Sequence, residues 1–131
     1  MSQLSPTLFP GISSSVEGHA GFIAEHAQTA STILSETKRL ISAKGATTVI
    51  LVSRIHPPGR SGLSIDLYQV GHSLGGALAE LDSLFMAMNL PSSIHVKGVT
   101  YGTPRVGNPA YAAFFDSKVR NVGSAHYAAL C

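Results

Sequence analysis

The stretch VGHSLGGALAELDSLF, residues 70–85, places a Gly-x-Ser-x-Gly pattern between an apolar run and a segment with helical spacing. A serine on a very tight turn between a strand and a helix is held above the sheet, where its hydroxyl is accessible for nucleophilic attack. The helix N-terminus beside it offers free N–H groups to a developing oxyanion. The pattern therefore predicts that Ser73 is a nucleophile and that the Leu74 amide donates to the oxyanion, rather than that Ser73 only caps a helix.

The segments on either side alternate between helical and strand-like patterns. Apolar residues at three- and four-residue spacing indicate helices, whereas β-branched apolar runs indicate buried parallel strands. The predicted elements are a helix over 21–44 ended by Gly45, a strand over 46–52, a helix from Leu74 ended by Asn89-Leu90-Pro91, a strand over 93–104, and a short helix from Asn108-Pro109 to Phe115. This order predicts an α/β fold, in which a parallel sheet is flanked by helices.

Composition narrows the class of protein. The chain has 131 residues, 44% of them hydrophobic and 12% charged, which suits one domain with a buried sheet. Its formal charge of +2 comes from scattered basic residues, so nucleic acid is not an expected partner. The only cysteine, Cys131, cannot form an internal disulfide. We find neither a signal peptide pattern nor an apolar run long enough to span a membrane.

Three segments together resemble the class 3 lipases, the fungal lipase type of α/β-hydrolase. They are VGHSLGGALAELDSLF, the later VTYGTPRVGNPAYAAFF at residues 99–115, and His19-Ala20-Gly21-Phe22. The resemblance covers about residues 8–52 and 70–118. It implies hydrolysis of carboxylic esters, typically acylglycerols, in lipid metabolism, without a metal ion or an organic cofactor. Intact relatives are commonly secreted, and their contact with a lipid interface is expected.

The resemblance also assigns residues. Ser73 is the nucleophile and Leu74 supplies an amide to the oxyanion hole, while Gly71, His72, Gly75 and Gly76 form the scaffold of the turn. A serine hydrolase further needs an acid and a histidine, here in the chain order Ser, Asp, His. Asp116 and His126 satisfy that order, but Asp116 falls within the predicted last helix, and residues 119–131 match neither family segment.

The family's acid and histidine segments are not recognisable in this sequence, and neither is the segment that supplies a second oxyanion donor. We therefore expect a single incomplete hydrolase domain over residues 1–131, a fragment without activity of its own. Two alternatives remain open. The chain is a non-catalytic fragment or lipid-binding remnant, or it is another serine hydrolase, such as a thioesterase or an acyltransferase, because the same turn occurs in those enzymes.

Residues 53–69 contain two prolines and two glycines and are interpreted as a loop or a non-native insertion. Removing residues 52–69 joins GATTVIL to VGHSLGG and restores one buried strand before Ser73. The codons of Val52-Ser53 can read GTAAGT, and that of Gln69 can read CAG, which would make a splice donor and acceptor. We therefore expect a translated intron at 52–69, with a surface insertion as the alternative. Val119-Arg120 can also hide a donor, which would explain the atypical tail over 119–131.

Overall fold

The computed structural model describes residues 1–51 and 71–119. In these ranges three helices and six short strands follow one another along the chain. Their bounds are β1 Ser2–Gln3, β2 Glu17–Gly18, α1 Ala20–Lys44, β3 Thr48–Leu51, β4 Gly71–His72, α2 Leu74–Asn89, β5 His95–Gly98, β6 Thr100–Tyr101 and α3 Pro109–Lys118. The predicted α/β fold with a parallel sheet and flanking helices is confirmed.

The helices begin and end close to the predicted residues, because their boundaries are set by local chemistry. Gly45 ends α1 in the left-handed conformation, with φ 62°, and its N–H donates to Ile41 O at 2.8 Å. At the start of α3, the Asn108 side chain accepts from Tyr111 N at 2.8 Å, and Pro109 occupies the first turn.

The strands around the predicted nucleophile pair in parallel. β3 lies beside β5 with Thr48 opposite His95 and Leu51 opposite Gly98. β4 lies beside β6 with His72 opposite Tyr101. The strand predicted over 46–52 is therefore present as Thr48–Leu51, with Val52 outside the described residues, and the strand predicted over 93–104 is present as β5 and β6.

The first 18 residues, an irregular lead-in rich in Ser, Pro and Gly as loops typically are, lie mostly in turns and irregular segments around two short strands. β1 and β2 form an antiparallel pair, and the side chains of Leu4, Phe9 and Val16 are buried in the hydrophobic core. The Pro, Ser and Gly residues that suggested a loop shape the turns between these apolar side chains.

Asn108 attaches this lead-in to the start of α3. Its Nδ2 donates to Ser15 O at 2.8 Å, and its backbone N–H donates to Glu17 O at 2.9 Å. Gly107, beside it, pairs with Gly18, and a Cβ at Gly107 would lie 2.6 Å from Glu17 O. The chain therefore needs a glycine here for the two segments to approach each other.

α2 is the centre of the core and contacts all the other principal elements. Ten of its 16 residues are buried, so its sequence is apolar on more than one face. α1 packs against it through a buried pair in which His26 Nε2 lies 2.9 Å from Asp82 Oδ1, although the imidazole is not aligned for a good hydrogen bond. The rings of Phe9 and Phe85 lie 5.7 and 5.3 Å from the His26 ring.

Within residues 1–51 and 71–119, no helix combines the length and the apolar composition that crossing a bilayer requires.

We expect Asp82→Ala to lower the free energy of unfolding by about 2–4 kcal/mol, because the change leaves the buried His26 imidazole without its nearest polar partner. The matched control is Glu36→Ala. Glu36 contacts Arg39 at 2.8 Å on the surface of α1, where an exposed pair contributes about 0.5 kcal/mol. Urea denaturation measures both variants, and equal losses would contradict a structural role for the buried pair.

Candidate active site

Ser73 lies on the turn that the sequence predicted, between β4 and α2. Its backbone has φ 57° and ψ −127°, and it is the only non-glycine residue with positive φ among those described. A side chain in this region of φ/ψ space costs on the order of 1–3 kcal/mol and persists only where surrounding contacts impose it. The combination of strand, strained serine and helix is the arrangement known as a nucleophile elbow.

Backbone hydrogen bonds hold the turn from both sides. Ser73 N–H donates to Tyr101 O at 3.2 Å, which fixes the turn to the end of β6. Ser73 O accepts from Gly76 N at 2.9 Å and from Ala77 N at 3.2 Å, which fixes it to the first turn of α2. The strained conformation is thus imposed by three hydrogen bonds to the two neighbouring elements.

The Ser73 side chain faces outward and does not cap α2. Ser73 is exposed, and its hydroxyl makes no capping hydrogen bond. The alternative that Ser73 only caps the helix is therefore not supported. The buried Gly75 and Gly76 occupy the first turn of α2 behind it.

The N-terminus of α2 supplies hydrogen-bond donors beside the serine. Leu74 is the first residue of a 16-residue helix, so its N–H has no partner within the helix. Helix dipoles place partial positive charge at this end, which favours a developing negative charge. The arrangement can donate a hydrogen bond to an oxyanion formed at Ser73.

Two exposed apolar side chains lie next to the serine. Leu74 is 45% exposed and Tyr101 is 44% exposed, and they are two of the three large hydrophobic side chains that are exposed in the described part of the chain. The surface around the Ser73 hydroxyl is therefore partly apolar. A separate cavity of about 270 Å³ lies between Pro91 and Lys118, and none of the predicted site residues lines it.

His72 is an exposed residue of β4, and we do not assign it as a general base for Ser73. Its ring lies against the turn at Gly102, where an added Cβ would be 3.3 Å from His72 Nε2. Gly102 has φ 55°, so this turn both requires the left-handed conformation and has little space for a side chain. His72 thus lies beside the Gly102 turn, and its role as scaffold stays a prediction.

Of the two predicted triad partners, Asp116 lies within the described residues and His126 does not. Asp116 lies in α3, exposed, and its negative charge acts on Glu80 of α2. Glu80 is seven residues after Ser73, about 10 Å along the helix axis. His126 lies outside the described residues, so the pairing of Asp116 with His126 stays a prediction.

Burial raises the pKa of Glu80 to about 7, with a further contribution from the negative charge of Asp116. Burial, together with the charge of Glu80, also raises the pKa of Tyr111 well above its usual value. The sequence analysis did not find this group of residues. The signal was weak, because Glu80 and Asp116 are far apart in the sequence and on different helices.

The buried His26–Asp82 pair was also missed, although its signal was stronger. His26 is three residues after Ile23 and four before Ala30, so it falls on the apolar face of α1. Across the described residues, no three His, Cys, Asp or Glu side chains come together as a potential metal site.

We expect Ser73→Gly to raise the free energy of unfolding by about 1 kcal/mol, because glycine adopts this backbone conformation without strain but loses more entropy on folding. Ser73→Ala is the matched control. It keeps the Cβ and should change stability by less than about 0.5 kcal/mol. Urea denaturation distinguishes the two, and an equal gain in both variants would place the strain elsewhere.

Glu80 should make stability depend on pH. Between its usual value of 4.5 and about 7, the folded protein keeps a proton that the unfolded chain has released, so stability falls as pH rises through this window. We expect Glu80→Gln to be more stable than the parent at pH 8 by about 1–3 kcal/mol, with the difference shrinking towards pH 4.5. Urea denaturation from pH 4.5 to 8 measures it, with the exposed Glu36→Gln as control. A difference that does not vary with pH would refute the role of Glu80.

Comparisons with known proteins agree with this geometry. Over 49 residues the chain is 43% identical to a secreted mono- and diacylglycerol lipase, MDL3, of Malassezia globosa, covering 37% of this chain and 16% of that one. It is 46% identical over 55 residues to Lipase ZK262.3 of Caenorhabditis elegans, covering 41% and 16% of the two chains. The crystal structure of a triacylglycerol lipase from Penicillium expansum matches 93% of this chain with a TM-score of 0.63 and 25% identity, over 38% of its own length.

The matched regions thus span about a sixth of the length of these curated relatives. The family model described as lipase (class 3) matches residues 3–128. The chain therefore belongs to the class 3 lipase family.

Proposed function

We propose that this chain contributes the nucleophile, and one oxyanion donor, of an enzyme that hydrolyses acylglycerol esters. The observation that carries the proposal is the strained, outward-facing Ser73 on a strand-to-helix turn, without a capping bond for its hydroxyl. A serine that only terminated a strand or capped a helix would not need this conformation.

The proposed chemistry begins with attack of Ser73 Oγ on the ester carbonyl carbon. The carbonyl oxygen becomes an oxyanion, which the Leu74 N–H stabilises, and the hydroxyl proton passes to a general base. In this proposal the base is a histidine held by an acid later in the chain. His126 and Asp116 are the candidates within this sequence. The bond between the carbonyl carbon and the alkoxy oxygen then breaks, and the alcohol leaves with the proton that the base returns, so that the acyl group stays on Ser73 Oγ. Water, deprotonated by the same base, attacks this acyl-enzyme, the carboxylic acid is released, and the proton goes back to Ser73 Oγ. No metal ion or cofactor takes part.

The substrate class rests on the site surface and on the relatives. Leu74 and Tyr101 present apolar side chains beside Ser73, which favours a substrate with an acyl chain and contact with a lipid interface. The relatives from Malassezia globosa are named as secreted mono- and diacylglycerol lipases. We propose an acylglycerol substrate and secretion on this basis.

A chimeric enzyme tests the proposal. Residues 71–108 replace the aligned segment of the Penicillium expansum lipase, so that the host supplies the remaining catalytic groups. We expect the chimera to hydrolyse tributyrin, and Ser73→Ala to lower kcat by at least about 1000-fold. The control Ser92→Ala, at an exposed position after α2, should leave the rate unchanged.

A folded but inactive chimera, or activity that survives Ser73→Ala, would refute the role of Ser73. The isolated 131-residue chain is the reference, and we expect it to show no hydrolysis of p-nitrophenyl butyrate above its own Ser73→Ala variant. Hydrolysis that is lost in both Ser73→Ala and His126→Ala would instead identify His126 as the base.

A further inference from the structure

β3 and β4 are paired with neighbouring positions of the same partner segment. Leu51, the last residue of β3, is opposite Gly98, and Gly71, the first residue of β4, is opposite Thr100. Only Val99 lies between these two partners. A continuous strand would need one residue between Leu51 and Gly71, whereas the sequence has 19, residues 52–70. Eighteen residues are therefore in excess of what the pairing can accommodate.

The hydrogen bonds show that both pieces lie along the same edge of β5 and β6. His95 N–H donates to Thr47 O at 3.0 Å, and Tyr101 O accepts from Ser73 N at 3.2 Å. In an extended strand the N–H and C=O of one residue point to the same edge, and successive residues alternate between edges. His95 and Tyr101 are six residues apart, so they face the same neighbour.

The bonding pattern is also that of one uninterrupted parallel ladder. His95 is opposite Thr48 and bonds to the residue before it, while Tyr101 is opposite His72 and bonds to the residue after it. In a parallel pair, every second residue of a strand makes these two bonds to the same neighbour, one to either side of the residue opposite. β3 and β4 thus have the register of one continuous strand in which a single residue separates Leu51 from Gly71.

We propose that β3 and β4 are two parts of one strand of the catalytic fold, and that residues 52–69 are an 18-residue insert translated from a retained intron. Positions 52 and 70 are both valine, so removal of 52–69 or of 53–70 gives the same chain, with ATTVILVGHS before the elbow helix. Eighteen codons preserve the reading frame. The codons for Val52-Ser53 and Gln69 permit the donor GTAAGT and an acceptor ending in CAG.

A continuous strand would affect how firmly Ser73 is positioned. A strand that runs unbroken from Thr48 to His72 would fix the backbone that enters Ser73 by seven consecutive ladder positions instead of the two in β4. A nucleophile is held more closely by a regular element than by a loop. The inference rests on strand register and does not depend on the proposed ester hydrolysis.

Three deletions in the 131-residue chain test the register. Removing 52–69 keeps the ladder in register, whereas removing 52–68 or 52–70 shifts it by one residue and turns the strand's side chains to the opposite face. We expect the in-register deletion to raise the thermal midpoint by at least about 5 °C over the full chain, because folding no longer has to bring together two strand pieces that are 18 residues further apart in the sequence. The two shifted deletions should melt below the in-register one by a similar margin. Equal midpoints in all three, or an in-register deletion less stable than the full chain, would overturn the proposal.

Sequencing the transcript is a second test that does not require any variant to fold. We expect the mature message to join codon 51 to codon 70 and the genomic DNA to carry GT and AG at the ends of the missing codons. Messages that all retain codons 52–69 would overturn the proposal, whatever the deletions do.

Discussion

The backbone of Ser73 is held in a conformation that an L-residue adopts only under constraint, and the position of every other group in the site depends on that constraint. Its N–H is bound to the end of β6, and its carbonyl is bound to the first turn of α2. A change in either element would move the hydroxyl relative to the Leu74 amide. Effective catalysis by a serine requires these two groups to stay in a fixed relation. The strain is thus the local cost of holding an exposed serine side chain at the junction of two rigid elements.

α2 makes that junction rigid because it is buried on several sides. Leu81, Leu84 and Met86 are almost fully inaccessible to solvent, and α1 closes one side through His26 and Asp82. Burying polar groups is expensive unless they have partners, and Glu80 illustrates this through its raised pKa. The helix therefore combines strong apolar packing with two polar groups, Asp82, which pairs with α1, and Glu80, whose charged form is disfavoured by burial and by Asp116 of α3.

Local signals made the helices and the turn predictable from the sequence. Gly45 and Asn108 mark helix boundaries by their own conformational and hydrogen-bonding preferences, and the glycines around Ser73 mark a tight turn. The packing of the lead-in and the pairing of His26 with Asp82 depend on contacts between distant segments, so composition alone did not reveal them. Residues 1–18 have the turns that their Ser, Pro and Gly content favours, but their burial against the core depends on these distant contacts. The roles of Asp116 and His126 remain predictions, because His126 lies outside the described residues.

The Asn108 side chain has a consequence for the order in which the protein folds. It joins the start of α3 to Ser15, 93 residues earlier in the chain. Bringing such distant segments together costs loop-closure entropy that local helix contacts do not. The helices form from neighbouring residues, whereas the lead-in can dock only after the Gly107-Asn108 turn exists. We therefore expect residues 1–18 to form last among the described segments and to open first, so that their amide hydrogens exchange with solvent before those of α2.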